Sequence, residues 1–214
     1  SIVLTLIFIH IFPEIFSNNN IEIGYYILAG FLIQILLELL SKGIEHGHIH
    51  VHGKITNHQL LVIFIGLSIH SFIEGLPINT IEHLDHNHNL HNNNIEYINN
   101  FSWIYLLMIL IHKLPIAAVL IFFLNSNGLN KIKKYGLLFV FAATAPIGAI
   151  LGEELLKFSF FNDWSIKFLA ISSGMLLHIT TLLIFEDHHN SNKKIKNLIT
   201  ISIGIITGSL IFSF

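Results

Sequence analysis

Long apolar stretches alternate with short polar segments along the chain. The apolar stretches cover residues 1–16, 21–40, 60–78, 101–124, 135–151, 164–185 and 198–214. Most of them approach the roughly 20 residues that a hydrocarbon core about 30 Å thick requires. Because lipid offers the backbone no hydrogen-bond partner, each stretch must be helical. The pattern predicts an all-α, polytopic transmembrane helix bundle, with six near-complete spans after a first helix that is clipped at its start.

The composition is typical of a chain that lies in lipid. Hydrophobic residues make up 53% of the 214 residues and charged residues only 11%, whereas soluble domains carry about 25% charged residues. The chain has no cysteine, which excludes disulfides and thiolate metal sites. The absence of thiolate leaves imidazole, carboxylate or backbone oxygen as metal ligands, and these suit Zn, Fe, Mn or Cu. The chain is rich in the first two, with 15 histidines and 13 acidic residues. We expect the lipid bilayer as a partner and no nucleic acid.

The lysines predict how the spans are oriented. When the connecting segments are counted alternately, one set holds eight lysines and the other holds two, while Lys113 lies inside a span. The first set contains Lys42, Lys54, Lys131, Lys133, Lys134, Lys193, Lys194 and Lys196, and the second contains Lys157 and Lys167. Positively charged connections stay on the cytosolic side. Segments 41–59, 125–134 and 186–197 are therefore predicted to face the cytosol.

Two apolar stretches carry ionisable residues near their midpoints. His70 and Glu74 are four residues apart, so they share one face of the third helix. His112 lies near the middle of the fourth, next to Lys113. Two antiparallel helices would bring the two imidazoles to the same depth. A charge at that depth costs about 2.5–3.5 kcal/mol, so Glu74 and Lys113 must face the interior of the bundle. A divalent cation would compensate Glu74 and take neutral imidazoles as ligands.

Two prolines lie close to these residues in the sequence. Pro77 follows Glu74 and Pro115 comes one turn after His112, and each proline removes a backbone hydrogen bond. Helices that are broken around a polar site at the mid-plane are typical of transporters. One alternative stays open, in which the four polar side chains pair only with one another and link the helices.

Several segments resemble, in their order along the chain, the helices of the ZIP (Zrt/Irt-like) family of divalent-metal transporters. HSFIEG at 70–75 is similar to the signature of the family's fourth helix, and HKLP at 112–115 to the motif of its fifth. Weaker similarities are HIFPE at 10–14 to the second helix, 30–38 to the third, APIGA at 145–149 to the sixth, and Ser173-Gly174-Met175 with Glu186 to the seventh. The resemblance implies a ZIP-like transmembrane domain over 1–214. It also implies about seven spans of an eight-helix fold, because the first helix and part of the second are missing from this N-terminally truncated chain.

The resemblance also implies a ligand set. A transported metal would be bound by His70, Glu74 and His112. Family members with a two-metal site place further ligands where this chain has Ser71, Lys113, Ile116 and Ala145. Of these, only Ser71 could coordinate, and weakly. Lys113 puts a positive charge where a second cation would sit, which implies one metal, as in the subgroup of the family with HK in the fifth helix.

Other histidines and carboxylates are candidates for an accessory metal path. They are Ser71, His10, Glu14, His178, Glu186, His188, His189, His46, His48, His50 and His52. The last four belong to a His-rich loop at 41–59, which could capture metal that leaves the pore, and a second His-rich loop is predicted at 79–100. Glu186, His188 and His189 could form an exit relay. Solvated low-complexity loops remain the alternative for both His-rich segments.

The leading hypothesis is a carrier that moves Zn²⁺, or alternatively Fe²⁺ or Mn²⁺, into the cytosol, with the metal as substrate and no cofactor. We expect an integral, multi-pass protein of the plasma membrane, with an organelle membrane as the alternative and a homodimer left open. A membrane-embedded metalloenzyme is a competing hypothesis, but the chain has neither an HExxH motif nor paired HxxHH clusters. A metal sensor that binds without transporting is the third, and a flux measurement separates it from a carrier.

Overall fold

The computed structural model of the protein describes residues 2–17, 21–41, 56–81, 94–161, 163–185 and 191–212. Within these ranges the chain forms seven long helices and no strand. The helices are α1 (Ile2–Phe16), α2 (Ile23–Ser41), α3 (Asn57–Gly75), α4 (Asn94–Ser126), α5 (Lys131–Leu156), α6 (Ser165–Phe185) and α7 (Ser191–Phe212). A π-helical turn at Ile7–Ile11 lies inside α1, and a short 3-10 turn at Ser159–Phe161 precedes α6. The all-α prediction is confirmed, with the helices in the predicted order.

Much of the outer surface of the bundle is apolar. Four helices of the described ranges are long and apolar enough to cross a membrane: Ile23–Leu40, Asn57–Gly75, Phe101–Ser126 and Lys131–Leu156. Ile2–Phe16 and Ile199–Leu210 are shorter apolar helices. Leu36, Trp103 and Phe139 are 59%, 70% and 75% exposed, and an exterior of this kind is stable against lipid rather than water. The chain is an integral, multi-pass membrane protein.

The helices reach further into the polar segments than the apolar pattern predicts. The lysines predicted to lie in a loop at 125–134 form the first turn of α5, where the side chain of Asn130 accepts a hydrogen bond from the N–H of Lys133 at 2.9 Å. In the same way α4 begins at Asn94 inside the predicted loop 79–100, and α7 begins inside 186–197. Hydropathy detects only the part of a helix that lies in hydrocarbon, whereas a capping side chain sets where the helix starts.

The two prolines near the predicted site have different effects. α3 ends at Gly75, before Pro77, and the N–H of Ile78 bonds to the Gly75 carbonyl at 3.0 Å. α4 instead runs without a break through Pro115, so the expectation of a broken helix there is wrong. Pro115 is an exposed residue of α4. Proline removes a single backbone hydrogen bond, and the bonds of the turns before and after it keep the segment helical.

Glycines allow two pairs of helices to pack with their backbones in contact. At each of these glycines an added Cβ would collide with a carbonyl oxygen of the facing helix. The contacts are Gly30 with Ile171 and Gly174 with Ile27 between α2 and α6, and Gly75 with Ala145, Gly148 with Phe72 and Gly152 with Leu76 between α3 and α5. Small residues at helix contacts are typical of membrane proteins, because close packing rather than the hydrophobic effect drives association in lipid.

We expect Gly174→Ala to destabilise the protein, because the added methyl group meets the backbone oxygen of Ile27, which cannot move without shifting α2. Overpacking of this kind costs about 1–3 kcal/mol. The matched control is Gly136→Ala in α5, where the added Cβ has no atom within 4 Å; there alanine should be neutral or stabilise by about 0.5–1 kcal/mol. Thermal unfolding of the two variants in detergent makes the comparison, and equal midpoints would contradict the role of Gly174.

Two apolar clusters lie on either side of the polar residues of α4. The first follows α4 as far as Ile109 and includes buried residues of α1 and α6. The second begins at Ile116 and includes buried residues of α3 and α5. His112 and Lys113 lie between them along the helix. The middle of the bundle is therefore a polar region with an apolar cluster toward each end.

Candidate metal centre

His70, Glu74 and His112 meet in the interior of the bundle. Nε2 of His70 lies 3.0 Å from Oε1 of Glu74 and 3.4 Å from Nε2 of His112. Nε2 of His112 lies 3.5 Å from the same Glu74 oxygen. The exposed fractions of the three side chains are 1%, 0% and 9%, respectively. Within the described ranges, no second group of three or more His, Asp or Glu side chains converges in this way.

Two helices supply these three side chains. His70 and Glu74 are one turn apart on the inner face of α3. That helix is fixed at its start by a capping box, in which the Thr56 side chain accepts from the N–H of Gln59 and the Gln59 side chain accepts from the N–H of Thr56. His112 comes from α4 at the same depth. The structure thus brings together the residues that depth and spacing had selected.

The Glu74 carboxylate is fully buried, with Nε2 of His70 at 3.0 Å from its Oε1. The main-chain carbonyl of Glu74 lies where α3 stops being helical, and it accepts a hydrogen bond from the hydroxyl of Tyr105 at 3.1 Å. The Tyr105 oxygen is also 2.8 Å from Oγ of Ser172 in α6. Tyr105 therefore ties the end of α3 to α4 and α6 and holds the backbone of Glu74 in place.

Lys113 lies on the opposite side of the carboxylate from the histidines. Its Nζ is 3.8 Å from Oε2 of Glu74 and donates to Oγ and to the carbonyl of Ser71 at 2.8 and 3.3 Å. The Ser71 hydroxyl is also 2.7 Å from that of Thr144 in α5. Both oxygens of Glu74 thus face positively charged or imidazole groups, and Ser71 interacts with Lys113 rather than with the histidines.

Three polar residues around the site were missed by the sequence interpretation. Gln34 of α2 contacts Nδ1 of His70 through Oε1 at 2.8 Å, and Tyr105 and Thr144 make the contacts given above. Gln34 did carry a signal, since it is the one polar residue between Gly30 and Glu38 in an otherwise apolar run. Tyr105 and Thr144 carried none, because isolated hydroxyls are common in membrane helices, where they bond to the preceding turn.

Ser71 lies beside this cluster through its contact with Lys113, whereas the other accessory candidates that the structure describes lie apart from it. Nε2 of His178 in α6 is 2.6 Å from Oε2 of Glu38 in α2. His178 also meets the ring of Phe31 edge to face, with 4.8 Å between centroids. His178, a candidate for the accessory metal path, therefore contacts the neighbouring helix α2. His10 and Glu14 are partly exposed residues of α1, and His10 lies in its π-helical turn.

The remaining accessory candidates lie outside the described residues. They are His46, His48, His50, His52, Glu186, His188 and His189. Their assignment to a metal path stays a prediction.

Comparison with known proteins gives a single family. The sequence profile of the ZIP zinc transporter family matches residues 41–214. The chain is 30% identical over 168 residues to the protein named zinc transporter ZIP1 of Plasmodium falciparum (isolate 3D7), and the match covers 72% of this chain and 42% of that protein. The chain therefore matches less than half the length of this curated relative. No solved structure matches it. Since the profile covers most of its length and includes all three clustered side chains, the chain belongs to the ZIP zinc transporter family.

Proposed function

We propose that the protein carries a divalent metal ion, zinc in the first place, across the membrane into the cytosol, and that His70, Glu74 and His112 bind the ion midway. The observation that carries the proposal is the spacing of the three donor atoms, at 3.0, 3.4 and 3.5 Å. Tetrahedral zinc with bonds of about 2.0–2.1 Å separates its ligand atoms by about 3.3 Å. The three separations are therefore close to those between ligand atoms of a tetrahedral zinc site, which supports the proposal.

The chemistry of the three atoms supports a bound cation. Carboxylate oxygen has only lone pairs, and a neutral imidazole presents a lone pair on one nitrogen. Glu74 is fully buried, and the ammonium group of Lys113 faces only its Oε2, at 3.8 Å, so the Oε1 side has no positive charge beside it when the two histidines are neutral, which is costly in a membrane. A divalent cation between the three donors compensates the charge and takes up all three lone pairs.

The ligand set indicates which metals fit and how they can leave. Two imidazoles and one carboxylate suit Zn²⁺, with Fe²⁺ and Mn²⁺ as alternatives. Three protein ligands leave the fourth position of a tetrahedral ion open to water, whereas structural zinc sites are closed by four. An incompletely caged ion is what a carrier needs, because the ligands must release it on the other side.

The two apolar clusters support a carrier rather than an open pore. One cluster lies on each side of His112 and Lys113 along α4. An ion at the site would be separated from both surfaces by packed side chains. Transport then requires each cluster to open in turn, as in carriers whose site at the mid-plane is exposed alternately to the two sides.

Two other classes of function compete with this proposal. A membrane-embedded metalloenzyme would need a general acid or base beside the metal and motifs such as HExxH, which the chain lacks; membership of a transporter family supports a carrier that is not an enzyme. A sensor would bind the metal at the same site without moving it. Only a flux measurement distinguishes the sensor from the carrier.

The test uses the purified chain in liposomes that contain a zinc-sensitive fluorescent dye. Addition of Zn²⁺ outside should raise the fluorescence at a rate that saturates with concentration, and liposomes without protein should give the leak rate. Parallel assays with Fe²⁺ and Mn²⁺ rank the metals. Saturable zinc binding to the protein without flux above the leak would replace the carrier by the sensor.

Direction depends on orientation, which cysteine labelling measures directly. The chain has no cysteine, so single cysteines can be introduced without background. Placed at Asn92 and Asn162 they should react with an impermeant maleimide on intact cells, and at His50 and Asn192 only after permeabilisation, because the lysine-rich segments are predicted to be cytosolic. Labelling on plasma-membrane fractions also tests the proposed location. The inverse pattern would reverse the proposed direction of transport.

A further inference from the structure

Gln34 is a buried amide in an apolar helix. Its side chain is completely shielded within the bundle, between apolar neighbours on both sides in the sequence. Burying an amide without partners is unfavourable, and a membrane offers no water as a substitute. A hydrogen bond to a neighbouring side chain must therefore compensate the burial of the amide.

The contact is with the side of His70 that faces away from the proposed metal. Oε1 of Gln34 lies 2.8 Å from Nδ1 of His70. An amide oxygen can only accept a hydrogen bond, so Nδ1 must carry the proton. In the neutral ring the lone pair is then on Nε2, the atom that lies 3.0 Å from Glu74 and 3.4 Å from His112.

We propose that Gln34 is the positioning residue of the metal site, which holds the His70 ring in place and keeps its Nε2 lone pair directed at the transported ion. This inference rests on the proposed function, since it assumes that the cluster binds metal. Histidine ligands commonly donate their second N–H to a carboxylate, carbonyl or water, and this partner sets the tautomer and the basicity of the ligand. In this protein the partner is the side-chain amide of Gln34, from α2.

Contacts between α2 and α6 hold Gln34 in position beside His70. Gly30, one turn before Gln34, packs directly on the backbone of Ile171, and Glu38, one turn after it, contacts His178. Both contacts are with α6, so α2 is held on either side of Gln34. The amide is thereby fixed relative to α6 while it orients a ligand of α3.

The tautomer of His70 can be measured on the unmodified chain. In the zinc-loaded protein with ¹⁵N-labelled histidine, long-range ¹H–¹⁵N spectra show which ring nitrogen of each histidine carries the proton, and the His70→Ala spectrum assigns the signal by its loss. We expect the Nδ1–H form. The Nε2–H form would mean that the amide is turned and donates to the ring, which would overturn the inference. This measurement does not depend on whether any Gln34 variant folds.

Two substitutions then test the effect on metal binding. Gln34→Met keeps the size of the side chain but cannot accept the hydrogen bond, whereas Gln34→Glu keeps the acceptor. Loss of such a partner lowers metal affinity by about 10–100-fold, so Gln34→Met should raise the Kd for Zn²⁺ and the half-saturating concentration for uptake by that factor. Gln34→Glu should stay near the unmodified value. The control is Thr180→Val in α6, which removes a buried hydroxyl that bonds to its own helix.

The outcomes separate this inference from the function on which it rests. If Gln34→Met binds zinc as tightly as the unmodified chain, Gln34 is not the positioning residue although the carrier proposal stands. If the unmodified chain binds zinc but does not transport it, the carrier fails while the ratio of affinities still tests Gln34. If His70→Ala also leaves the affinity unchanged, the metal site itself is misassigned and the inference falls with it.

Discussion

Glu74→Gln is expected to reduce zinc uptake to the leak rate of empty liposomes, although the protein should fold. The amide has the size of the carboxylate but lacks its charge, which makes it a poor metal ligand. Two imidazoles would remain of a site with three ligands. Loss of a residue that only supports a ligand costs about 10–100-fold in affinity, and loss of the ligand itself should cost more than that. His70→Ala and His112→Ala should have the same effect.

The control for these substitutions is His58→Ala. His58 is an exposed residue in the first turn of α3, and it does not belong to the cluster. Its removal takes away an imidazole but leaves the donor atoms at the centre in place. Uptake is measured at matched amounts of protein, with elution on a sizing column as the check of folding. Normal uptake by either histidine variant of the cluster would refute the proposed site.

The order and type of the helices could be predicted because lipid imposes a simple rule on the backbone. Every apolar stretch long enough to enter the hydrocarbon had to be helical, and the described helices follow the predicted order. The helix ends could not be predicted in this way. They depend on local groups such as the Asn130 side chain, which caps α5. They also depend on how each proline is accommodated, since α4 runs on through Pro115 while α3 ends before Pro77.

The residues of the site could be predicted only where their depth in the membrane and the helical repeat place them together. The spacing of His70 and Glu74 puts them on one face, and the matched depth of His112 made it their partner. Gln34 could not be connected with His70, because hydropathy does not say that α2 packs beside α3. The glycine contacts join α2 to α6 and α3 to α5, and no motif in the sequence marks the contact between α2 and α3. The motifs that carry the family resemblance contain residues with two different roles. His70, Glu74 and His112 form the centre. Gly75, Gly148 and Gly174 allow the helices to pack closely.

The number of metal ions at the centre is expected to be one, because Lys113 occupies the place of a second. A second ion beside the first would bind the free oxygen of Glu74, Oε2. The ammonium group of Lys113 is 3.8 Å from that oxygen and is held by two hydrogen bonds to Ser71. At about 4 Å and an effective dielectric constant of about 20, it repels each unit of charge on a cation by about 4 kcal/mol. A divalent ion is repelled twice as strongly, and its ligand oxygen is already compensated.

Lys113→Asp should convert the centre into one that holds two ions. The substitution removes the ammonium group and adds a carboxylate on the Oε2 side of Glu74, which could then bridge two metals, as carboxylates do in two-metal sites with ions about 3.5–4 Å apart. Lys113→Met is the matched control, because it removes the charge without adding a ligand, and it should still bind one ion. The histidines within 46–58 and 83–91 are replaced by asparagine in every variant, so that metal analysis and anomalous diffraction report only the centre. Two ions in the protein that retains Lys113 would show that its ammonium group does not exclude the second, and one ion in Lys113→Asp would show that Oε2 cannot be used as a bridge.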